Sequence, residues 1–383
     1  MRILIDASQI PREKGGVGMY AVHLIRSMAL SVPGHAYFVL VQSDEDAFDD
    51  LPGGTIERIK VPGKIFRILP FRLVLEQAWM TYFIRRHRID LVHSLHYSFP
   101  LFAAGARRVV TIHDLTFFIG PHWHVPIKRW YFRTFIRLAV SLADRLIAVS
   151  ASTANDLRDR TEVDRNKLAV VHLGPPKVPP EHAPGFDTLF RRYDIGERYI
   201  LFVGTLEPRK NLFNLVRAFH RLCREEPRLQ LVIAGKKGWG VERLFKLVQA
   251  LDLQDRVIFT GYVEDAAKFD LLRRAQVFAY PSLYEGFGIP VLEALSLGIP
   301  TVTADRPALR EVAGEAALFV DPQSPEAICS AMLRLLRDER LRGELSRRGL
   351  ERARDFSWTL TAIKTEKVYR SLAEDCKPNK GGR

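Results

Sequence analysis

Two glutamates stand eight residues apart in YEGFGIPVLEALSLGIPTVTA, residues 284–304, with two glycines and a proline between them. The run PVLEALSLG reads as a helix of about two turns, opening at Pro290 and closing before Gly298. A helix N-terminus offers N–H groups without intrahelical acceptors and a partial positive charge. Gly286 and Gly288 let the backbone come close to a ligand. Together they make a seat for a phosphate or diphosphate on the backbone of Phe287, Gly288 and Ile289. Glu293, expected in the first turn of that helix, would reach the hydroxyls of a ribose. Glu285 would face the far side of the phosphates, where a transferable group would lie. A full helix would separate the two acids by ~12 Å, and a bent loop brings both onto one extended ligand. The plain alternative for Glu293 is that acids favour a first helical turn for the dipole alone.

Other residues have the types and settings for related chemistry. GTLEPRKN follows a strand and opens a helix, with Arg209 and Lys210 near one acid, Glu207. Fixed cations stabilise the charge that develops on a departing diphosphate. EKGGVGMY follows the first strand, and Gly15, Gly16 and Gly18 permit close backbone approach before a helix. The dinucleotide fingerprint G-x-G-x-x-G is absent there, which counts against NAD. TIHDL puts His113 and Asp114 at the end of a strand, and FTGYVED puts Val263 just beyond another. The acidic run Asp44–Asp46 reads as a solvated loop, and no catalytic metal is expected.

The elements that must position these residues are legible as short, β-branched runs. Seven lie in the first half, from RILIDAS to KLAVVHLG, and six in the second, from YILFVGT to AALFVD. Helical patterns between them argue for mostly parallel sheets with helices on both faces. GPPKVPPEHAPG, residues 174–185, is the clearest linker, with five prolines in twelve residues. The expected organisation is a first Rossmann-like domain over 1–176, a linker over 177–194 and a second such domain over 195–355. A C-terminal helix over 356–375 packs back toward the first domain, and a disordered tail covers 376–383. The fold class is therefore α/β, two doubly wound domains facing each other across a cleft. Ligands of such sheets bind beyond the carboxyl ends of the strands.

A length of 383 residues suits two domains, and no run approaches a spanning helix. MRILIDASQI stops at Asp6 and reads as a buried strand, not a signal peptide. Three scattered cysteines give no disulfide or zinc pattern, so a cytoplasmic setting is expected. The net charge of +13 favours an acidic partner. Two basic, aromatic stretches in the first half, Lys60–Arg88 and His122–Arg145, suit an anionic membrane surface. The second carries Arg129, Arg133 and Arg137 at helical spacing, with Trp123, Trp130, Tyr131 and Phe135 around them. Peripheral association with the inner face of the cell membrane is the expectation. No nucleic-acid motif is visible, and no nucleic-acid partner is expected.

EGFGIPVLEALSLGIPTV resembles the E-x7-E signature of the retaining glycosyltransferases of family 4, which have the GT-B fold. FVGTLEPRKNLFNLVRAF resembles the second signature of that family's donor domain, and GGVGMYAVHLIRSM its N-terminal glycine loop. TIHDLTFF, IAVSASTANDL and FSWTLTAIKTEKVYR resemble further family segments, so the likeness runs over essentially the whole chain. The resemblance implies that Arg209 and Lys210 bind the donor diphosphate and that Gly16 faces it from the opposite domain. It also implies that Val263 lies beside the base and that His113 meets the transferred sugar. One departure is Thr205, where many family members carry an arginine. The subgroup most resembled contains mannosyltransferases of bacterial O-antigen and other polysaccharides. It implies a nucleotide-sugar donor, GDP-mannose as first choice, and a glycan or lipid-linked saccharide acceptor. Front-face attack assisted by the leaving phosphate is the preferred course. The alternatives are a sugar-nucleotide epimerase of the same fold, or a non-catalytic basic protein that binds membrane or RNA.

Overall fold

Among the described residues thirteen strands form, one for each of the thirteen apolar runs, and they assemble into two separate parallel sheets. The structure is a computed structural model that describes residues 1–8, 10, 15–51, 54, 56–62, 69–179 and 186–374. Parts of several expectations lie outside the described residues. These are the first two residues of EKGGVGMY, residues 63–68 of the first basic stretch, residues 180–185 of the proline-rich segment and the tail at 376–383.

The chain divides into two units, one of residues 1–174 and 357–383 and one of residues 175–356. In the first, the strands are β1 (Arg2–Asp6), β2 (Ala36–Gln42), β3 (Ile56–Val61), β4 (Leu91–Ser94), β5 (Arg107–Ile112), β6 (Arg145–Ala148) and β7 (Leu168–Val170). Their spatial order is β3-β2-β1-β4-β5-β6-β7. In the second, the strands are β8 (Tyr199–Val203), β9 (Gln230–Ala234), β10 (Val257–Gly261), β11 (Val277–Tyr280), β12 (Thr301–Ala304) and β13 (Leu318–Val320). Their order is β10-β9-β8-β11-β12-β13. Both are doubly wound. The winding direction reverses between β1 and β4 in one sheet and between β8 and β11 in the other. Ile3 sits opposite Leu91 and Ile200 opposite Val277 across these two reversal points.

Inner strand β8 (YILFV) is hydrophobic along its whole length because helices cover both faces of the sheet. Every residue of β4 and β8 is buried. Edge strand β3 instead alternates exposed Glu57, Arg58 and Lys60 with less exposed residues, and charge of this kind discourages pairing with another chain. Tyr199, Phe202, Phe219, Phe269, Phe278 and Tyr280 are among the largest fully buried side chains of the second unit.

Two helices differ from a simple linker-and-domain division. Residues 186–192 of the expected linker form a helix of the second unit. Phe190 packs at a tilt against Tyr199 with ring centroids 6.1 Å apart, Arg274 lies over the Phe190 ring, and Tyr193 just beyond the helix donates to the Thr260 carbonyl. The proline run stops at Pro184, so nothing prevents helix from there on. The C-terminal helix (Trp358–Glu374) groups with the first unit. Its Tyr369 hydroxyl lies 2.6 Å from His93 Nδ1 on β4, and Glu366 lies 3.2 Å from His35 Nε2.

Candidate active site

In a doubly wound sheet the loops at the reversal point splay apart and leave a crevice at the carboxyl ends of the strands. In the second unit that point lies between β8 and β11, and the two charged motifs emerge from those two strands. After β8 the chain makes a short 3-10 turn at Pro208–Lys210, then Asn211 takes a left-handed conformation (φ 61°) before the next helix. Asn211 holds that conformation by donating to the carbonyls of Pro281 and Pro322 at 3.0 and 2.6 Å. After β11 the chain runs through Ser282, Glu285 and Gly288 into helix α1 (Ile289–Ser296). Gly288 has φ 115°, a conformation that strains residues with a side chain.

The two loops meet on Glu285, which is 7% exposed. Its Oε1 accepts hydrogen bonds from Lys210 Nζ at 2.6 Å, Ser282 Oγ at 2.6 Å and Tyr280 Oη at 3.0 Å. Its Oε2 accepts from Arg209 Nη1 at 2.9 Å. Lys210 Nζ also donates to Tyr280 Oη at 2.5 Å, and Arg209 Nε pairs with Glu207 Oε1 at 2.5 Å. Arg209 further donates to the Tyr284 carbonyl, while Ser282 Oγ and the Leu283 amide hold the Arg209 carbonyl. Two acids, Glu207 and Glu285, thus balance two bases, Arg209 and Lys210.

The electrostatics follow from burial and pairing. Burial alone would raise the Glu285 pKa, but Arg209, Lys210 and Ser282 outweigh it and hold the group at about 2. Burial, reinforced by Arg209, lowers Lys210 from its ordinary value, and Glu285 and Glu207 oppose this. Burial and the Glu285 charge push the Tyr280 phenol well up, so it stays protonated and donates. The result is a fixed carboxylate beside two cations, just before a helix N-terminus with its partial positive charge.

Glu293 does not join this cluster. Helix α1 starts at Ile289, one residue earlier than expected, so Glu293 falls in the second turn and not the first. It is 4% exposed, and its Oε1 accepts from Lys268 Nζ at 2.7 Å. Phe287 is buried against Phe356, with ring centroids 5.8 Å apart. Val263 is half-buried just beyond the β10 carboxyl end, next to the exposed Tyr262.

The remaining residues singled out in the sequence lie in the first unit. Helix α2 (Gly16–Ser31) starts at Gly16, and a Cβ added at Gly15 or Gly16 would meet no atom within 4 Å. Four residues into that helix, Tyr20 packs edge-on against His113 with ring centroids 4.8 Å apart. His113 Nε2 lies 2.8 Å from the Leu95 carbonyl, so Nε2 carries the proton. Burial lowers its pKa, which leaves the ring neutral with Nδ1 as an acceptor. Asp114 Oδ1 instead accepts from Tyr97 Oη, Thr116 N and Thr116 Oγ1, which ties it into the following turn. Among the described residues, no group of three or more His, Cys, Asp or Glu is placed to hold a metal ion.

The family described as Glycosyl transferases group 1 matches residues 187–352, and that described as Glycosyltransferase Family 4 matches residues 14–175. The chain is a family 4 glycosyltransferase. Its relatives include O-antigen chain mannosyltransferase B of Escherichia coli, 27% identical over 393 residues, covering 97% of this chain and 100% of that one. The same fold occurs in sucrose-phosphate synthase from Thermosynechococcus elongatus, with a TM-score of 0.76 at 20% identity over 98% of this chain and 100% of that one. It also occurs in Anabaena HepE, solved with UDP and glucose, with a TM-score of 0.76 at 18% identity over 97% and 100%. The transferase therefore has the GT-B fold, each of its two units built on a Rossmann-like sheet.

Sequence reasoning named Glu285, Arg209 and Lys210 separately, and the fold of the transferase brings them together. It missed Tyr280 and Ser282, which complete the shell around the Glu285 carboxylate. Both sit in VFAYPS, where a tyrosine among apolar strand residues was the available signal. It also missed Lys268, whose place among polar residues of DAAKFDLLRR looked like a solvated helix face.

Proposed function

We propose that this glycosyltransferase moves mannose, with retention at the anomeric carbon, from GDP-mannose to a growing saccharide of O-antigen type. The single observation that carries the donor assignment is the Glu285 carboxylate bridged to Lys210 and Arg209 at the β8–β11 reversal point. The sugar and the pathway rest on the E. coli relative named for O-antigen mannosyl transfer.

On this reading the diphosphate lies on the amides of Gly286, Phe287, Gly288 and Ile289, and Lys210 and Arg209 counter its charge. Glu285, ionised at any physiological pH, accepts from hydroxyls of the sugar and opposes the positive charge developing at its anomeric carbon. Glu293 reads the ribose, and Val263 borders the base. The family resemblance assigns Gly16 to the donor phosphate and the neutral His113 to the transferred sugar. In the transfer, the bond from the anomeric carbon to the phosphate oxygen breaks and a bond to the acceptor oxygen forms on the same face. The acceptor's proton passes to the departing phosphate. No metal enters this scheme: Arg209 and Lys210 donate hydrogen bonds to the leaving diphosphate, and the helix N-terminus adds its partial positive charge.

We further propose peripheral membrane contact through the helix Pro126–Leu142. Among the described residues no helix is long and apolar enough to cross a membrane. That helix leaves Ile127 64% and Trp130 66% exposed beside Lys128 and Arg129. Tyr131 and Phe135 of the same stretch are core residues. A thermal-shift panel of nucleotide sugars tests the donor assignment, since a ligand of the native state raises stability by mass action. GDP-mannose is expected to raise Tm most. No shift with any nucleotide sugar at millimolar concentration would overturn it.

A further inference from the structure

The cluster around Glu285 is electrically balanced before any ligand arrives. Glu207 and Glu285 offset Arg209 and Lys210, and the Tyr280 phenol stays neutral. A nucleoside diphosphate adds several negative charges to that balance. The N-terminus of α1 returns only about half a charge. A site that holds a diphosphate therefore needs a cation that no carboxylate has already neutralised.

Arg306 meets that requirement. It lies just past the carboxyl end of β12, the strand beside β11. Its Nε donates to the Leu283 carbonyl at 3.0 Å and its Nη1 to the Asp305 carbonyl at 3.0 Å. Both acceptors are neutral. Asp305, the acid next to it in sequence, gives both carboxylate oxygens to Arg310, one of them at 2.9 Å. Among the described residues no carboxylate pairs with Arg306, and its Nη2 has no acceptor. The side chain is half-buried, so water screens its charge only in part.

The loop that carries Arg306 touches the Glu285 loop at both ends. Leu283, whose carbonyl Arg306 holds, stands two residues before Glu285, and its amide donates to the Arg209 carbonyl at 2.8 Å. Three residues beyond Arg306, Leu309 lies so close to Gly288 that a Cβ added there would be 2.8 Å from Leu309 Cδ2. The guanidinium is thus anchored at the Glu285 end of the diphosphate seat, the end assigned above to the transferred sugar.

We propose that Arg306 is a third cation of the donor site, which binds the phosphate that carries the transferred sugar and neutralises it as it departs. The proposal rests on the second unit being the donor site. Nε keeps its bond to Leu283, and Nη2 supplies the N–H groups that meet the phosphate.

The test is calorimetric titration of GDP, GMP, UDP and UMP into the full chain and its Arg306→Gln and Arg306→Lys variants. The monophosphates lack the sugar-bearing phosphate and share the base and ribose. Arg306→Gln keeps a donor for the Leu283 carbonyl and removes the charge. It is expected to weaken diphosphate binding about 10- to 100-fold and monophosphate binding about 1- to 3-fold. Arg306→Lys, which keeps the charge, should recover much of the loss. An unchanged preference for diphosphate over monophosphate in Arg306→Gln overturns the proposal. So does an equal loss of both with a lower Tm, the result that a purely structural latch on Leu283 would give. Should the glutamine variant not fold, phenylglyoxal labelling of wild type, read on the Arg306 peptide, decides instead. GDP or UDP should slow that labelling and the monophosphates should not, and an equal rate with and without diphosphate is equally fatal. If wild type binds none of the four nucleotides, the donor-site reading fails first and the role of Arg306 with it.

Discussion

Lys210 and Glu285 come from loops 75 residues apart and meet at 2.6 Å inside the protein. Each depends on the other unequally. Without Lys210, Glu285 keeps Arg209, Tyr280 and Ser282 as donors. Without Glu285, Lys210 Nζ keeps, among the described residues, only the Tyr280 hydroxyl at hydrogen-bond distance. Breaking a buried pair from the side that strands a charge costs about 3–5 kcal/mol. Glu285→Ala is therefore expected to lower Tm more than Lys210→Ala, while each cuts kcat by about 10²- to 10³-fold. Calorimetry and steady-state kinetics on the two variants check this. Equal Tm values would show that the cluster does not share its charge as described.

The low pKa of Glu285 predicts a particular acid response. The group moves from an ordinary value of 4.5 to about 2 on folding, so the folded state binds its proton less readily than the unfolded state. Its stabilisation is fully present above about pH 4.5 and is lost as pH falls toward 2. Denaturant titrations of wild type and Glu285→Gln should thus differ by a constant amount from pH 5 to 7. The gap should narrow steadily below that. A gap unchanged down to pH 3 would mean that the carboxylate is not held in its ionised form by Arg209 and Lys210.

Much of the fold was legible because central parallel strands are buried on both faces, which writes them as unbroken apolar runs such as YILFV and VFAY. The glycine at the start of α1 was legible for a similarly local reason. The Arg209–Glu285 contact was not. It spans 76 residues and exists because β8 and β11 are neighbours, a fact of strand order that no local pattern records. Glu293 was found, but its neighbour Lys268 was not. Its helix begins at Ile289, which turns the side chain toward Lys268, and a lysine among Asp, Ala and Arg looks solvated until a buried acid is placed against it.

Two glycines separate function from folding. Gly16 opens α2, and a methyl group added there would have no atom within 4 Å, so Gly16→Ala should leave Tm unchanged or raise stability by up to ~1 kcal/mol. If a substrate approaches that backbone, the same variant loses activity. Gly288 has φ +115°, and its Cβ would meet Leu309 Cδ2 at 2.8 Å. The leucine tip can move, but the backbone angle cannot be relieved, so Gly288→Ala should cost about 1–3 kcal/mol. Thermal melts and kinetics on both variants give the contrast. Full activity in a stable Gly16→Ala would remove Gly16 from the substrate site.

The proposed membrane face makes a prediction that distinguishes residues within one helix. Arg133 and Arg137, one and two turns beyond Arg129, both place their guanidinium groups over the Phe118 ring, 5.1 and 5.7 Å from its centroid, with Arg133 half-buried and Arg137 exposed. Arg133 also donates to the Phe117 carbonyl at 2.8 Å. Ile127 and Trp130, by contrast, are largely exposed. Arg133→Gln should therefore lower Tm through lost packing, with a small effect on lipid binding. Ile127→Ser combined with Trp130→Ala should leave Tm alone and weaken co-sedimentation with anionic vesicles about tenfold, the loss that ~1.4 kcal/mol of apolar burial represents. Binding of wild type should fall as salt rises from about 50 to about 500 mM, because the basic residues beside these anchors act through a screened potential. Equal sedimentation of wild type and the double variant would sink the assignment of this helix as the membrane contact.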